Sequence, residues 1–249
     1  MSAGAIFVWE MMGTAVLVLL GTSVVANRVL RNTLGSNESF LFVNVGWGFA
    51  VFVGASIANP TGAHINPAVT LGLAVADKLD WSDVPIYWAG QMVGGVLGAV
   101  LTWLTYKLQF DNHPEPQNTL GIFSTGPTLP GKAWNTVTEV IGTFVLLLWI
   151  LLTPVAAASE EGVPIFGNAA LGYAGVAFVV LVIGTSLGGP TGYAINPARD
   201  LGPRIAYAFI LPIRGKGDAN WSYSWVPVIG PLVGATLAAL LFLAVDGLT

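Results

Sequence analysis

A nine-residue stretch that occurs twice in this chain of 249 residues carries its most specific chemical signal. Both copies contain the tripeptide Asn-Pro-Ala, as Asn66, Pro67, Ala68 and as Asn196, Pro197, Ala198. Asparagine is a favoured helix N-cap and proline is favoured at the first helical position, so each tripeptide predicts the start of a helix. A helix N-terminus offers unpaired N–H groups and roughly half a positive charge, which attract oxygen lone pairs and repel cations.

The composition places these two helix starts in a membrane protein. Hydrophobic residues make up 54% of the chain and charged residues 9%, against about 25% charged in a typical soluble domain. The net charge of −4, without a basic run, argues against nucleic acid as a partner. The sequence has no cysteine, which excludes disulfides and thiolate metal sites.

Six apolar segments are long enough to cross a bilayer, which takes about 20 residues. They are residues 5–27, 40–58, 84–106, 134–156, 169–188 and 225–245. The apolar stretches that begin with the tripeptides, 68–76 and 198–208, are too short to cross. We therefore predict an all-α membrane protein with six transmembrane helices and two half-helices. Irregular backbone at this depth is tolerated where protein buries it or where it lines an aqueous path.

An internal repeat relates the two halves of the predicted single domain, residues 1–249. Residues 10–17 resemble residues 139–146 at an offset of 129, and the tripeptides are 130 residues apart. The repeats cover about 1–110 and 132–249. Each contains three spans, and this odd number inverts the second repeat relative to the first. Inverted repeats place their site near the midplane, so the half-helix N-termini should meet there and favour neutral, oxygen-bearing solutes.

The paired Asn-Pro-Ala motifs, each followed by a half-helix, resemble the aquaporin family over essentially the whole chain. Asp200, directly after Arg199, resembles the glycerol-facilitator branch of that family. The resemblance implies a right-handed bundle of six spans and two half-helices. It also implies a homotetramer in the lipid bilayer, with one pore per protomer and passive conduction of small neutral solutes without a cofactor.

Arg199 is the strongest individual candidate for a functional residue. A charged side chain within a membrane costs about 2.5–3.5 kcal/mol even on lenient scales, so it marks a functional site by default. Its five N–H donors could bond two adjacent hydroxyls of a solute while its charge repels cations. The alternative is a structural ion pair with Asp200 or another neighbour.

The resemblance places three more residues with Arg199 in a constriction. Trp47 lies 19 residues before Asn66, Gly184 falls where water-selective members usually carry histidine, and Tyr193 falls where glycerol facilitators usually carry phenylalanine. We expect the two aromatic faces to receive a carbon backbone, Gly184 to widen the opening, and the Tyr193 hydroxyl to make its rim more polar. The alternatives are a lipid-facing Trp47 and a Gly184 that serves helix packing.

Four residues are expected to support the pore. Following the resemblance, we expect Glu10 and Glu139 to accept N–H bonds from the irregular stretches before the half-helices; a proton relay is the alternative. His64 is expected to line the pore or to pack beside it, and Asp200 to line or support it. The two histidines lie far apart in sequence and no nucleophile–base pair is recognisable, so neither a metal site nor an enzyme is indicated.

The predicted function is a passive channel for glycerol and water that excludes ions and protons. Urea, dihydroxyacetone and undissociated lactic acid are further candidate solutes. One alternative is a water-selective channel, against which Trp47 and Gly184 argue. Another is a secondary transporter that couples its substrate to protons through Glu10 and Glu139.

The expected location is the cell membrane, with multiple spans and, following the resemblance, cytoplasmic termini. Lys and Arg near span ends usually mark the cytoplasmic side. The charges point the other way here, because the terminal side carries only Lys78. The opposite side carries Arg28, Arg31, Lys107, Lys132, Arg214 and Lys216.

Overall fold

The computed structural model describes residues 1–153 and 165–246, with side-chain detail for 1–153 and 172–245, and its regular structure in these ranges is helical. Six long helices and two half-helices account for most of it, and two short helices lie between the repeats. In chain order they are α1 (Ala3–Val29), α2 (Phe40–Ile57), α3 (Pro67–Val75), α4 (Val84–Thr105), α5 (Lys107–Asp111), α6 (Leu120–Phe123), α7 (Lys132–Leu152), α8 (Ile165–Leu187), α9 (Pro197–Ile205) and α10 (Val226–Asp246).

The predicted architecture of six spans and two half-helices is confirmed. Within the described ranges, α1, α2, α4, α7 and α10 are long and apolar enough to cross a membrane. The sixth long helix, α8, contributes a further apolar stretch over Gly172–Leu187. The half-helices α3 and α9 have nine residues each, well short of a span.

Three boundaries differ from the expectation. The connection between the predicted spans 84–106 and 134–156 contains the short helices α5 and α6. Helix α7 ends at Leu152 rather than at residue 156, because Thr153 is extended and precedes Pro154, a position that disfavours helical backbone. Helix α9 ends at Ile205 and continues as a π-helix over Ala206–Ile210. The connection between the predicted spans 134–156 and 169–188 lies outside the described residues from position 154 to 164, and α8 begins at Ile165, ahead of the predicted start at 169.

Within each repeat, the third long helix packs against the first at glycines. A Cβ on Gly90 of α4 would lie 2.6 Å from the Phe7 carbonyl oxygen of α1. In the second repeat, a Cβ on Gly230 of α10 would lie 2.6 Å from the Glu139 Cβ of α7. Small residues of this kind let membrane helices approach closely without a hydrophobic driving force. These tight pairs hold Glu10 and Glu139 beside the irregular segments that precede the half-helices.

Candidate functional site

Each half-helix begins at the asparagine of its tripeptide. Asn66 and Asn196 have extended backbones, with φ of −160° and −154°, and a proline follows each at the first helical position. The Asn66 Oδ1 accepts a hydrogen bond from the Ala68 N–H at 2.9 Å, and the Asn196 Oδ1 accepts one from the Ala198 N–H at 3.1 Å. Both asparagines are therefore N-caps, which is the local structure that the tripeptides predict.

The two N-termini meet in the interior of the molecule. The Asn66 Nδ2 donates to the Ile195 carbonyl at 2.8 Å, and the Asn196 Nδ2 donates to the Ile65 carbonyl at 2.9 Å. These reciprocal bonds join segments about 130 positions apart and fix the half-helices head to head. Each amide group has two N–H donors. One donor of each asparagine is used between the repeats, and the second remains for another acceptor.

The backbone before each tripeptide is strained in the same way in both repeats. Ile65 and Ile195 both have a φ of +43°, in the left-handed region that β-branched residues rarely adopt. A carboxylate from the first long helix of each repeat stabilises this geometry by accepting two consecutive backbone N–H bonds. The donors are His64 and Ile65 to Glu10, at 3.1 and 2.7 Å, and Ala194 and Ile195 to Glu139, at 2.9 and 2.8 Å.

A cavity lies beside the paired N-termini. It offers about 70 Å³ to the centres of water-sized molecules, several times the roughly 10–15 Å³ that one water needs. Much of its wall is aliphatic, with Leu17, Val69 and Leu146 among the lining residues. Its polar and aromatic lining comes from Trp47, His64, Asn66, Tyr193, Asn196 and Arg199. Neither Gly184 nor Asp200 contributes to this wall.

Arg199 and Trp47 touch each other at the wall of the cavity. The Arg199 Cζ lies 3.9 Å from the centre of the Trp47 ring, and the guanidinium donates a long hydrogen bond to the Phe123 carbonyl at 3.4 Å. A separation of 3.9 Å is van der Waals contact, so no solute carbon fits between the two groups in this arrangement. A solute as wide as a carbon chain passes between them only if the guanidinium moves off the indole.

Tyr193 lines the cavity, and the expectation that its hydroxyl makes the rim more polar stays a prediction. The hydroxyl is buried and has no hydrogen-bond partner in the described part of the chain. A Cβ on Gly184 would lie 2.6 Å from the Tyr193 Cζ, so the tyrosine ring fills the space that a side chain on Gly184 would need. Phe40 packs edge-on against the ring, with the centroids 6.3 Å apart. The absence of a side chain at Gly184 thus leaves the space that the Tyr193 ring occupies.

The family of the chain follows from comparison with known proteins. The family model described as "Major intrinsic protein" matches residues 2–242. The chain belongs to the major intrinsic protein family. The chain is 45% identical over 239 residues to a probable glycerol uptake facilitator protein of Thermotoga maritima, covering 96% of this chain and 98% of that one.

Other relatives of this major intrinsic protein agree with that placement. The chain is 47% identical over 236 residues to glycerol uptake facilitator protein 3 of Lactiplantibacillus plantarum, with 94% of this chain and 93% of that one covered. Its fold is similar to the X-ray structure of the aquaglyceroporin from Plasmodium falciparum, with a TM-score of 0.79 at 29% identity. The similarity covers 97% of this chain and 96% of that one.

In this major intrinsic protein, Asp200 forms its ion pair with Arg204. The Arg204 Nη2 lies 2.8 Å from the Asp200 Oδ1, and both side chains are completely buried. The Asp200 Oδ2 also accepts bonds from the Thr125 N–H and hydroxyl, at 2.6 and 2.7 Å. Arg204 donates to the Ala219 carbonyl at 2.6 Å. This network ties two loops to α9, and it leaves Arg199 without an ion-pair partner among the described residues.

A hydrogen-bond network without a cation occupies the corresponding region of the first repeat. The Gln91 Nε2 donates to the Glu10 Oε2 at 2.7 Å and to the Thr70 hydroxyl at 2.9 Å. The same hydroxyl lies 3.1 Å from the His64 Nδ1, and the His64 ring stacks on Tyr87 at a centroid distance of 4.2 Å. His64 therefore packs and lines the cavity at once. The described residues contain no group of three His, Asp or Glu side chains that could hold a metal ion.

Sequence reasoning missed several of these residues. Arg204 had a usable signal, because it follows Asp200 by four positions within a short membrane helix, the spacing of a helical ion pair. Gln91 is a polar residue in an otherwise apolar span, which is a weaker signal. Thr125 had none, since it reaches Asp200 from the connection between the repeats, 75 positions away in the chain.

Proposed function

We propose that the protein is a passive channel for glycerol, accompanied by water, and that each chain forms one complete pore. The observation that carries this proposal is the cavity that runs beside two half-helix N-termini held head to head. The relatives named glycerol uptake facilitators favour glycerol as the solute. Urea, dihydroxyacetone and undissociated lactic acid are minor candidates of similar size and polarity.

The electrostatics of the meeting point favour neutral solutes. Two helix N-termini each contribute roughly half a positive charge, and Arg199 adds a full charge to the cavity wall. Cations and protons therefore meet a barrier, whereas a hydroxyl oxygen can accept the free N–H of Asn66 and then of Asn196. In this scheme the two tripeptides act as the central relay, with Pro67, Ala68, Pro197 and Ala198 shaping the helix starts.

Selection of the solute is assigned to the end of the cavity with Trp47, Tyr193 and Arg199. The two aromatic rings offer apolar faces to the carbon chain, and the guanidinium offers donors to the hydroxyls. Passage requires Arg199 to leave the Trp47 face, and new hydrogen bonds to a polyol compensate for the lost cation–π contact. Gly184 acts indirectly, because the absence of a side chain there leaves room for the Tyr193 ring.

The supporting roles follow from the hydrogen bonds. Glu10 and Glu139 brace the strained segments, His64 contributes to the wall, and Asp200 holds the loops through Arg204. Both glutamates are buried, and all four of their carboxylate oxygens accept backbone N–H bonds. This arrangement disfavours the proton-coupled transporter. The contact between Arg199 and Trp47 is closed to water and to a carbon chain alike, so a water-selective channel remains an alternative that the following measurement separates.

Stopped-flow light scattering on proteoliposomes of the purified protein tests the proposal. With glycerol outside, a glycerol channel gives rapid shrinkage followed by fast reswelling whose rate does not saturate with concentration. Rapid shrinkage without accelerated reswelling would establish the water-selective alternative. Saturation together with dependence on a proton gradient would establish a transporter.

Replacement of Arg199 by alanine tests the assigned site of selection. We expect Arg199→Ala to keep glycerol flux within a factor of about three and to raise the influx of longer linear polyols about tenfold, equivalent to about 1.4 kcal/mol of lost barrier. Arg214→Ala, at an exposed loop position, is the matched control and should behave as wild type. Unchanged polyol exclusion in Arg199→Ala would contradict the assignment.

We further propose a homotetramer with cytoplasmic termini, as the resemblance implies. Exposed apolar side chains such as Phe49 of α2 and Phe178 of α8 supply surface for neighbouring copies or lipid. Because the chain has no cysteine, single-cysteine variants report orientation cleanly. In intact cells, Leu34→Cys should react with an impermeant maleimide and Asp80→Cys should not; the reverse pattern would invert the topology. Cross-linking in native membranes should give a ladder that ends at four copies.

A further inference from the structure

Two buried polar side chains that lack partners face the same point behind the cavity wall. Asn44 of α2 is 1% exposed, and neither its Nδ2 nor its Oδ1 has a hydrogen-bond partner among the described residues. The hydroxyl of Tyr193 is likewise buried and unpaired. The Tyr193 hydroxyl and the Asn44 Oδ1 lie 2.9 and 3.0 Å from the position that a Cβ on Gly184 would occupy.

These distances limit how far apart the two groups are. Since both lie within 3.0 Å of one point, they are separated by at most about 6 Å, a span that one water molecule bridges with two hydrogen bonds of about 2.8 Å. Polar groups that are buried this deeply are almost always hydrogen-bonded. The Asn44 amide supplies both a donor and an acceptor, and a phenol hydroxyl can use either.

We propose that Asn44 is a positioning residue for Tyr193, linked to its hydroxyl by a hydrogen bond that spans at most one water molecule. This inference rests on the proposed function, because Tyr193 forms part of the proposed site of selection. The bond holds the hydroxyl against α8 and keeps the ring flat against the cavity wall. Without Asn44, the nearest polar surroundings for the hydroxyl lie in the cavity, beside Arg199 and the solute.

The position of Asn44 supports a role in selection. It precedes Trp47 by three positions in α2, so both side chains lie on the same face of the helix. Asn44 therefore reaches the second aromatic residue of the site from the helix that carries the first. Position 174, which corresponds to Asn44 in the second repeat at the offset of 130, is an alanine, and Ala63 corresponds to Tyr193. Asn44 of the first repeat is thus paired with Tyr193 of the second, whereas the symmetry-related pair, Ala174 and Ala63, has neither the amide nor the phenol.

The test is a double-mutant experiment in proteoliposomes that measures the ratio of glycerol to water permeability. Asn44→Leu removes the amide at similar volume and should lower this ratio at least about fivefold, because the unpaired hydroxyl turns into the cavity. Tyr193→Phe alone removes the hydroxyl and sets the reference ratio for the double variant. The double variant Asn44→Leu/Tyr193→Phe has no hydroxyl to reorient, so its ratio should lie within about twofold of that of Tyr193→Phe.

Tyr223 provides the matched control, since its hydroxyl is also buried and has no partner within the described part of the chain. Asn44→Leu/Tyr223→Phe should keep the full defect of Asn44→Leu. An unchanged ratio in Asn44→Leu would overturn the proposal. So would an equal defect in Asn44→Leu and Asn44→Leu/Tyr193→Phe, which would show that Asn44 acts only through packing.

A second measurement separates this inference from the proposed function. If wild-type protein passes water but no glycerol, the proposed function fails, and the pair is then tested by thermal unfolding in detergent. The proposal expects the loss of stability in Asn44→Leu to shrink when Tyr193→Phe is added, but not when Tyr223→Phe is added. Additive effects of Asn44→Leu and Tyr193→Phe would contradict the link whatever solute the channel carries. Variants that fail to reach the membrane are read out by the same criterion, since only Tyr193→Phe should restore their yield.

Discussion

The two repeats share a backbone and differ in the side chains that they carry on it. Gly62 and Gly192 have φ of 82° and 80°, and Ile65 and Ile195 are identical at 43°. At the constant offset of 130, however, the side chains diverge where they face the cavity or the loops. The pairs are Ala63 and Tyr193, Val69 and Arg199, Thr70 and Asp200, and Ala74 and Arg204.

This difference separates two tasks. The shared backbone builds a symmetrical meeting point of two helix N-termini, which any neutral oxygen-bearing solute can use. The divergent side chains place aromatic and charged groups, Tyr193 and Arg199, at one end of the cavity, while the matching residues of the inverted repeat, Ala63 and Val69, line it with small or aliphatic side chains. We infer that a solute is selected once on its path, whichever direction it takes.

The largest expected effect concerns the charged network of the second repeat. Arg204→Met leaves Asp200 buried without its cation, which typically costs about 3–5 kcal/mol. We expect a large fall in the thermal unfolding midpoint in detergent, or loss of the folded protein from membranes. Adding Asp200→Leu, which removes the stranded charge, should restore much of the stability. Equal stability of the single and the double variant would show that the ion pair does not distinguish the repeats.

An intermediate effect is expected at the two bracing carboxylates. Glu139→Gln and Glu10→Gln each place an NH₂ group against a backbone N–H, which should cost about 1.5–3 kcal/mol. Glu10→Gln should be the milder change, because the Gln91 Oε1 has no hydrogen-bond partner among the residues that the structure describes and can accept a bond from the new amide after a rotation. Pro231, which follows Gly230 in α10 as Gln91 follows Gly90 in α4, offers no such side-chain acceptor.

Chemical denaturation of the two variants side by side checks this order. Gln91→Leu in the Glu10→Gln background is the control, and it should remove the advantage. If Glu139→Gln proves the more stable variant, the hydrogen-bond network around Gln91 does not compensate for the substitution at Glu10.

The smallest expected effect is on flux rather than on folding. Gly184→Ala places a Cβ 2.6 Å from the Tyr193 Cζ, so the ring must shift into the cavity. We expect glycerol permeability to fall about tenfold, equivalent to about 1.4 kcal/mol, with water permeability reduced less. Adding Tyr193→Ala, which copies Ala63 of the first repeat, should bring glycerol flux back. Persistent loss in the double variant would mean that Gly184 acts through helix packing alone.

Features that depend on local sequence were predictable. The helix starts at Asn66 and Asn196 follow from capping chemistry, and the six spans follow from hydropathy. The meeting of the half-helices follows from the odd number of spans per repeat. In each case a short stretch of chain contains the whole signal.

Features that depend on neighbours from distant elements were not predictable. The direction of the Tyr193 hydroxyl is set by Gly184 of α8 and by Phe40 of α2, and sequence does not show that these three residues meet. The choice of Asp200 between Arg199 and Arg204 depends on Thr125, which arrives from the connection between the repeats. The stacking of Arg199 on Trp47 likewise depends on the rotamers of both side chains, which the sequence does not determine.

The two ends of the cavity differ, so blockade of the channel should depend on the side of the membrane from which an inhibitor arrives. A bulky apolar molecule that approaches from the end with Trp47 and Arg199 is stopped at the mouth, where solvent competes for it and its hold is weak. The same molecule arriving past Ala63 and Val69 contacts aliphatic walls and binds inside the cavity, against the end with Trp47 and Arg199. An inhibitor added to one face of the membrane should therefore be far more potent than the same inhibitor added to the other.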